Sequence, residues 1–281
     1  MDPVGKALWY IENNLGGELT LAKIAAAVGM SRFHLLRAFG AATGSSVMEY
    51  ARRRRLSEAA KRLTAGAADI LGVALDHGYA SHEAFTRAFR DQFGITPETA
   101  RTQGEGCNLQ LTEAMAMEDN LVVELAPPRF EDGRAMLIAG LGERYTFETN
   151  KGIPFQWQRF SPYIGNVPGQ VGRTTYGLCC NADGQGHFDY VCGVEVSSFA
   201  DLPPELQRVR VPAQRYAVFA YQGHVSGLRA VAYTIWNKYL PNSNLEIADA
   251  PDFERYGNDI DYTTGMGKFE VWVPVKAEKK K

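Results

Sequence analysis

The strongest constraint in this 281-residue sequence is a nine-residue pattern that occurs twice, fifty positions apart. Residues 31–39 read SRFHLLRAF and residues 81–89 read SHEAFTRAF, so serine, arginine, alanine and phenylalanine recur at the same offsets. A short apolar segment and a glycine, Gly29 or Gly78, precede each copy. A serine can cap the N-terminus of a helix, and a glycine allows the tight turn before it. The repeat therefore predicts two helix-turn-helix units.

The second helix of each predicted unit has an apolar face and a mixed face. The apolar residues follow the i, i+3, i+4 spacing of one helix face and are expected in the core. They are Leu35, Ala38, Phe39, Phe85, Ala88 and Phe89. The mixed face carries Arg32, Phe33, Leu36 and Arg37 in the first copy, and His82, Glu83, Thr86 and Arg87 in the second. In a single helix, such a mixed face would be interpreted as an ordinary solvent-exposed surface. Because two helices repeat it in register, we interpret these faces as candidates for DNA major grooves, where such side chains reach base edges.

A further helix is predicted between the two units, over about residues 47–63. Such a connector can hold two recognition helices about one duplex turn, roughly 34 Å, apart. It contains the consecutive arginines Arg52–Arg55, the most concentrated positive feature of the sequence. We expect the first three to point towards phosphates or solvent. One of the four is expected to pair instead with a carboxylate, such as Asp69 or Glu58.

The sequence around these patterns closely resembles the AraC/XylS family of transcription regulators. GYASHEAFTRAFRDQFGITPETAR resembles the family signature, and SRFHLLRAFGAATG resembles the first recognition unit of the same domain. The resemblance implies binding of double-stranded DNA in two successive major grooves. It assigns to one groove Arg32, Phe33, Leu36 and Arg37, and to the next His82, Glu83, Thr86 and Arg87. Leu36 stands where related regulators often have a polar residue, so contact with a thymine methyl group is expected of it. RNA polymerase is an expected partner.

The chain changes character after the second unit. Residues 1–103 read as short helices, whereas residues 119–275 read as mixed strand and helix, rich in aromatic residues, glycine and proline. Residues 104–118 show weak periodicity and are predicted to be a linker, and residues 276–281 to be a charged tail. The predicted fold class is therefore multidomain, with an all-α double helix-turn-helix domain followed by an α+β domain.

Composition and motif content exclude several function classes. No apolar run approaches the roughly 18 residues that span a bilayer, and no signal peptide is recognised, so we expect a cytoplasmic protein without membrane contact. The four cysteines form neither a C-x-x-C pair nor a Cys/His spacing typical of zinc. The sequence shows no glycine-rich phosphate loop and no catalytic triad motif. We therefore expect no metal and no cofactor.

The C-terminal half shows a weak repeat of its own, in which strand, helix, strand and strand follow one another twice. The first copy runs through RAMLIAGL, IPFQWQRFSPYI, TTYGLCC and DYVCGVEV. The second runs through RYAVFAYQG, SGLRAVAYTIWNKYL, PDFERYG and KFEVWVPVK. The second helix is amphipathic, and FEVWVPV alternates as a half-buried strand does. We expect two pseudo-repeated β-α-β-β units around a ligand cleft.

These segments resemble the GyrI-like (gyrase-inhibitor-like) effector-binding domain. The residues that carry the resemblance are WQRF, TYGLC, DYVCGVEV, VPAQRYAVF and PDFERY, followed by EVWVPV. In that family the glutamate of the PDFERY-type motif lies in a central cleft, and here it is Glu254. The aromatic residues expected near it are Trp157, Phe160, Tyr176, Tyr190, Trp236 and Tyr256. Glu195 is a second candidate carboxylate.

A carboxylate held among aromatic rings suits one class of ligand. It is costly to desolvate without a partner, and a lipophilic cation supplies a partner while the rings add cation–π attraction. The sequence thus predicts a transcription regulator, an activator and not an enzyme, that senses a small lipophilic molecule, with a cation as the favoured class. Two alternatives stay open for the C-terminal half: hydrolysis of a small molecule with Glu254 as general base, and capture of a protein partner. Glu254 can also be structural and pair with Arg255 or another arginine, and Trp236 can belong to the core.

Overall fold

The structure, a computed structural model, describes residues 3–67, 69–115, 121–183, 186–257, 259–261 and 264–276. The predicted tail from residue 277 onwards and the last residues of the predicted linker lie outside this range. The chain divides into two compact units, which we call the helical unit, Met1–Leu35 with Ser46–Met117, and the sheet unit, Leu36–Ser45 with Glu118–Lys281. The predicted boundaries at residues 103 and 119 stay predictions.

Helices make up the N-terminal region. They are α1 (Pro3–Glu12), α2 (Leu21–Val28), α3 (Arg32–Thr43), α4 (Val47–Thr64), α5 (Ile70–Asp76), α6 (His82–Phe93) and α7 (Pro97–Gln103). The serine hydroxyls of Ser31 and Ser81 each accept the backbone N–H of the residue three positions on, at 3.2 Å. Gly29 and Gly78 have φ angles of 72° and 77°, in the left-handed region that favours glycine. The predicted caps and turns are confirmed, and α3 and α6 are the second helices of two helix-turn-helix units.

Five of the six residues predicted on the apolar faces of α3 and α6 are buried, and the sixth, Ala88, is half-buried and packs against the same core. Leu35, Ala38 and Phe39 have no exposed surface, and neither do Phe85 and Phe89. The rings of Phe85 and Phe89 lie 5.5 Å apart, centroid to centroid. These two rings pack against α4, so the helical unit forms a core around the connector helix.

The arginine cluster of α4 is divided between surface and interior. Arg54 is 5% exposed, and its guanidinium lies 2.8 Å from the carboxylate of Glu12 and 2.9 Å from that of Glu58. The prediction that Arg54 points to phosphates or solvent is wrong, because its position on α4 faces α1. The prediction of one arginine paired with Glu58 is confirmed, whereas Asp69 instead caps the N-terminus of α5. Arg52 lies on the surface and pairs with Glu49.

Replacing Arg54 by methionine is expected to lower the free energy of unfolding of the helical unit by about 2 kcal/mol, because two carboxylates lose their buried partner. The matched control is Arg52→Met, which breaks an exposed ion pair and should cost less than about 1 kcal/mol. Urea denaturation followed by helical circular dichroism measures both. Equal losses for the two variants would contradict a structural role for Arg54.

Among the described residues of the sheet unit, eight strands form one antiparallel sheet. Its strands are β1 (Arg129–Gly133), β2 (Met136–Thr146), β3 (Gln170–Cys180), β4 (His187–Val196), β5 (Gln207–Val211), β6 (Gln214–His224), β7 (Asp252–Tyr256) and β8 (Met266–Pro274). They lie side by side in the order β1-β6-β8-β7-β3-β4-β2-β5. Helix α8 (Ile153–Phe160) follows β2, and α9 (Leu228–Tyr233) follows β6 and continues as a π-helical segment, Thr234–Tyr239.

The coarse prediction of a helical N-terminal region followed by a sheet with helices is confirmed. The element order strand, helix, strand, strand occurs twice, in β2-α8-β3-β4 and in β6-α9-β7-β8. The prediction that the two copies are structural repeats of each other stays a prediction.

Side chains on the sheet alternate between two faces, which carry separate cores. One face, which we call the helix face, carries Cys179 and Tyr190 and packs against Phe160 of α8. The other, which we call the opposite face, carries Leu178 and Phe253 within a second apolar cluster. Residues one position apart on a strand therefore meet different surroundings, and this decides which predicted site residues come together.

Candidate functional site

Glu254 lies on the helix face near the centre of the sheet. It is 7% exposed and sits on β7, directly across from Gly177 of β3. A side chain at position 177 has no room, because a Cβ atom there would lie 2.1 Å from the Tyr190 hydroxyl oxygen and 2.4 Å from Glu254 Oε2. The glycine thus lets the hydroxyl of Tyr190 approach the carboxylate of Glu254.

A chain of contacts links several aromatic side chains to the Glu254 carboxylate through Tyr190. The hydroxyl of Tyr190 donates to Glu254 Oε2 at 3.1 Å, and the indole N–H of Trp157 donates to the Tyr190 oxygen at 3.1 Å. The Trp157 ring packs edge-on against Tyr256, with 5.3 Å between centroids, and against Phe160 at 6.1 Å. Four of the predicted aromatic residues therefore form one group with Glu254.

Burial dominates the electrostatics of Glu254. Desolvation raises the pKa of its carboxyl group from 4.5 to about 7, against a lowering by the charge of Arg37. Among the described residues, no Lys, Arg or His side chain forms an ion pair with Glu254. The structural alternative in which Arg255 neutralises it is wrong, since Arg255 bonds Glu270 at 3.2 Å. The protein thus buries a carboxylate whose charge it leaves without a directly paired cation.

A second buried carboxylate, Asp252, lies beside Glu254 and was not singled out from the sequence. It is 1% exposed, and because it lies two positions before Glu254 on β7 it shares the helix face. The guanidinium of Arg37 forms an ion pair with it at 2.5 Å. The same guanidinium lies over the ring of Trp236, 5.8 Å from the centroid. The period of two along PDFERY could have identified Asp252, whereas nothing in the sequence indicates its pairing with Arg37.

Two predicted ligand residues lie on the opposite face and are not part of this group. Tyr176 packs edge-on against Phe253, at 5.8 Å between centroids. Glu195 is held by Arg134, at 2.5 Å. Each differs by one position in strand parity from residues of the helix face, so the sheet separates them from Glu254. The prediction that they line the same cleft is wrong.

The predicted DNA-contacting residues also divide. Arg32 on α3 is exposed, as are His82, Glu83 and Arg87 on α6, while Phe33 and Thr86 are half-buried. Leu36, however, is only 4% exposed, and the Arg37 side chain is 14% exposed. The prediction that these two lie on an accessible, groove-facing surface is wrong for this structure, because α3 from Leu36 onwards packs as part of the sheet unit.

Comparison with known families decides which family the chain belongs to. The profile of the GyrI-like small molecule binding domain matches residues 126–276, which is more than half of the chain. The chain belongs to the GyrI-like family. A helix-turn-helix domain profile matches residues 24–103 of this GyrI-like protein.

Known proteins resemble it over different lengths. Transcriptional regulator Rob of Salmonella typhimurium is 27% identical over 267 residues, covering 92% of this chain and 91% of Rob. The HTH-type transcriptional activator AarP of Providencia stuartii is 35% identical over 105 residues, which are 37% of this chain and 78% of AarP. The solved structure of SAV2435 bound to tetraphenylphosphonium is 23% identical with a TM-score of 0.46, and covers 55% of this chain and 94% of that chain.

These matches confirm an AraC-family regulator with a C-terminal GyrI-like domain. Like its relatives Rob and AarP, the GyrI-like protein is a DNA-binding transcription regulator. It is not an enzyme. Within the described residues, no helix combines the length and apolar character needed to cross a membrane.

The raised pKa of Glu254 predicts a specific pH dependence of stability. Between about pH 4.5 and about pH 7 the folded chain retains a proton that the unfolded chain has released, so the Glu254 contribution to stability falls as pH rises. The loss should be on the order of 3 kcal/mol and complete above about pH 7. Unfolding of the sheet unit by urea, followed by tryptophan fluorescence, measures it as the difference between wild type and Glu254→Gln. Parallel pH profiles of the two proteins would show that the carboxyl group titrates normally.

Proposed function

We propose that this regulator binds a lipophilic cation in its GyrI-like domain, with Glu254 as the charged ligand and the surrounding aromatic rings as the apolar wall. The observation that carries the proposal is a desolvated carboxylate, in contact with Tyr190, without an ion-paired cation among the described residues. A ligand cation replaces the lost hydration of the carboxylate, and the faces of Trp157 and Tyr256 suit an apolar cation. The site is expected to select ligands by positive charge and apolar surface more than by one particular shape.

The geometry of the group supports a ligand role over a purely structural one. Trp157 and Tyr190 direct their donors along one chain that ends at Glu254, so the carboxylate is oriented by hydrogen bonds. Hydrogen bonds alone compensate a buried anion incompletely. The remaining negative charge of Glu254 therefore attracts a cation. Asp252, the other carboxylate of the strand, already has its cation in Arg37.

Methyltriphenylphosphonium is expected to bind the wild-type protein, while the neutral triphenylphosphine oxide, of similar shape, binds far more weakly. Because the cation requires the ionised carboxyl group, its affinity should rise about tenfold from about pH 6 to about pH 8. The measurement is the quenching of the fluorescence of Trp157 and Trp236 when the ligand binds.

The variant Glu254→Gln should lose both the cation preference and its pH dependence. The matched control is Glu195→Gln, which neutralises a buried carboxylate on the opposite face and should leave binding unchanged. Equal binding of the cation and the neutral oxide, or full binding by Glu254→Gln, would count against a cation site.

We propose further that α3 and α6 are the two recognition helices and bind successive major grooves. The exposed polar face of α6 supports this for the second unit, since His82, Glu83 and Arg87 can all reach base edges. In the first unit, Arg32 and Phe33 remain accessible in the structure.

Replacing Arg87 by alanine is expected to weaken binding to a DNA sequence selected by the protein by about 1–3 kcal/mol, with a smaller loss on random-sequence DNA, if Arg87 reads a base. The matched control is Arg62→Ala, which removes the same charge from α4, where Arg62 pairs with Asp76. Fluorescence anisotropy at fixed salt measures both variants. Equal losses on selected and random DNA would assign Arg87 to phosphate contact instead.

Activation of transcription, through contact with RNA polymerase in the cytoplasm, completes the proposal. Its support is the resemblance of the helix-turn-helix region to AarP, which is named as a transcriptional activator.

A further inference from the structure

The end of α3 is built into the sheet unit by polar contacts. We call Leu36–Ser45 the α3 segment, and it belongs to the same compact unit as the sheet. The Asn237 side chain donates to the carbonyl oxygen of Ala38 at 3.0 Å. Arg229 donates to the carbonyl oxygens of Ala41 and Ala42 at 3.3 and 3.2 Å. The carbonyl groups of Ala41 and Ala42 are among the last four of α3, which lack intrahelical partners and attract cations, so Arg229 is favourably placed to hold the segment.

Arg37 is the residue through which the α3 segment reaches the carboxylates. Its guanidinium pairs with Asp252, and its charge also acts on Glu254, where it partly offsets the rise that burial causes in the pKa of that group. Among the described residues, Arg37 Nε and Asp252 Oδ1 are buried without a hydrogen-bond partner. The pair therefore rests on one short contact between Nη2 and Oδ2, and it is less complete than a two-point arginine–carboxylate bond.

Arg37 brings to the helix face the chemistry that the proposed effector would bring. It presents a planar, weakly hydrated cation that pairs with Asp252 and lies over the indole ring of Trp236. Asp252 and Glu254 lie two positions apart on β7 and share one face, so the charge of Arg37 acts on both.

We propose that Arg37 is an internal cationic occupant of the effector site, which an incoming cation displaces, and that this displacement releases the α3 segment from the sheet unit. The inference rests on the proposed cation site at Glu254 and adds its regulation. Arg37 pairs with Asp252 and its charge also acts on Glu254, so Arg37 and the effector compete for the negative charge of the two carboxylates. The effector therefore binds most tightly in the fraction of molecules whose Arg37 has left Asp252. The apparent affinity is reduced by that fraction.

Removing the competitor should therefore strengthen effector binding. Arg37→Met is expected to bind methyltriphenylphosphonium at least about fivefold more tightly than wild type at about pH 8. The matched control is Arg134→Met, which removes an arginine from a buried carboxylate on the opposite face and should leave the affinity unchanged. Unchanged or weaker binding by a folded Arg37→Met protein overturns the inference.

A measurement on the wild-type protein keeps the inference testable if Arg37→Met does not fold. Methyltriphenylphosphonium should speed amide hydrogen exchange in the α3 segment, while triphenylphosphine oxide should not, and α6 serves as the internal reference. Glu254-dependent cation binding with unchanged or slower exchange in the α3 segment overturns the inference and leaves the proposed function standing. Absence of cation binding in wild type and Arg37→Met alike refutes the proposed ligand, and the inference with it.

Discussion

The sheet unit depends on how it buries two carboxylates on one short strand. A carboxylate removed from water without compensation is strongly unfavourable, so each must be paired, hydrogen-bonded or protonated. Asp252 is paired with Arg37, whereas Glu254 accepts a hydrogen bond from Tyr190 and has its pKa raised to about 7. The missing side chain at Gly177 then follows as a steric requirement of that hydrogen bond. The site is thus organised around negative charge that the protein compensates unequally.

The features that the sequence predicts well are those set by near neighbours. A serine cap and a left-handed glycine act within one turn of helix, so Ser31, Ser81, Gly29 and Gly78 could be interpreted without knowing the tertiary structure. The buried faces of α3 and α6 follow from helical spacing in the same way. Glu254 with its aromatic group came from the family resemblance, which supplied the long-range information that spacing lacks.

The wrong predictions concern residues whose positions depend on strand pairing and on contacts between distant parts of the chain. Tyr190 and Glu195 lie five positions apart on β4, so strand alternation alone places them on different faces and could have excluded Glu195. Tyr176 is a different case, because its face follows from the register that sets Gly177 across from Glu254, which local sequence does not contain. Arg54 likewise turns inward because Glu12, far away in sequence, meets α4.

Arg37 has two possible partners, a DNA groove and Asp252, and its side chain cannot contact both at once. The family resemblance assigns it to a DNA groove, whereas in the structure its guanidinium bonds Asp252. If the DNA assignment holds, every molecule that uses Arg37 on DNA has vacated the carboxylates, and every effector that displaces Arg37 frees it for DNA. By linkage, effector and DNA must then strengthen each other's binding by the same factor. The upper limit of that factor is set by the free energy of the contacts that hold the α3 segment. They include the incomplete ion pair of Arg37 and the hydrogen bonds from Asn237 and Arg229, a small set that favours a modest and reversible response over an all-or-none switch.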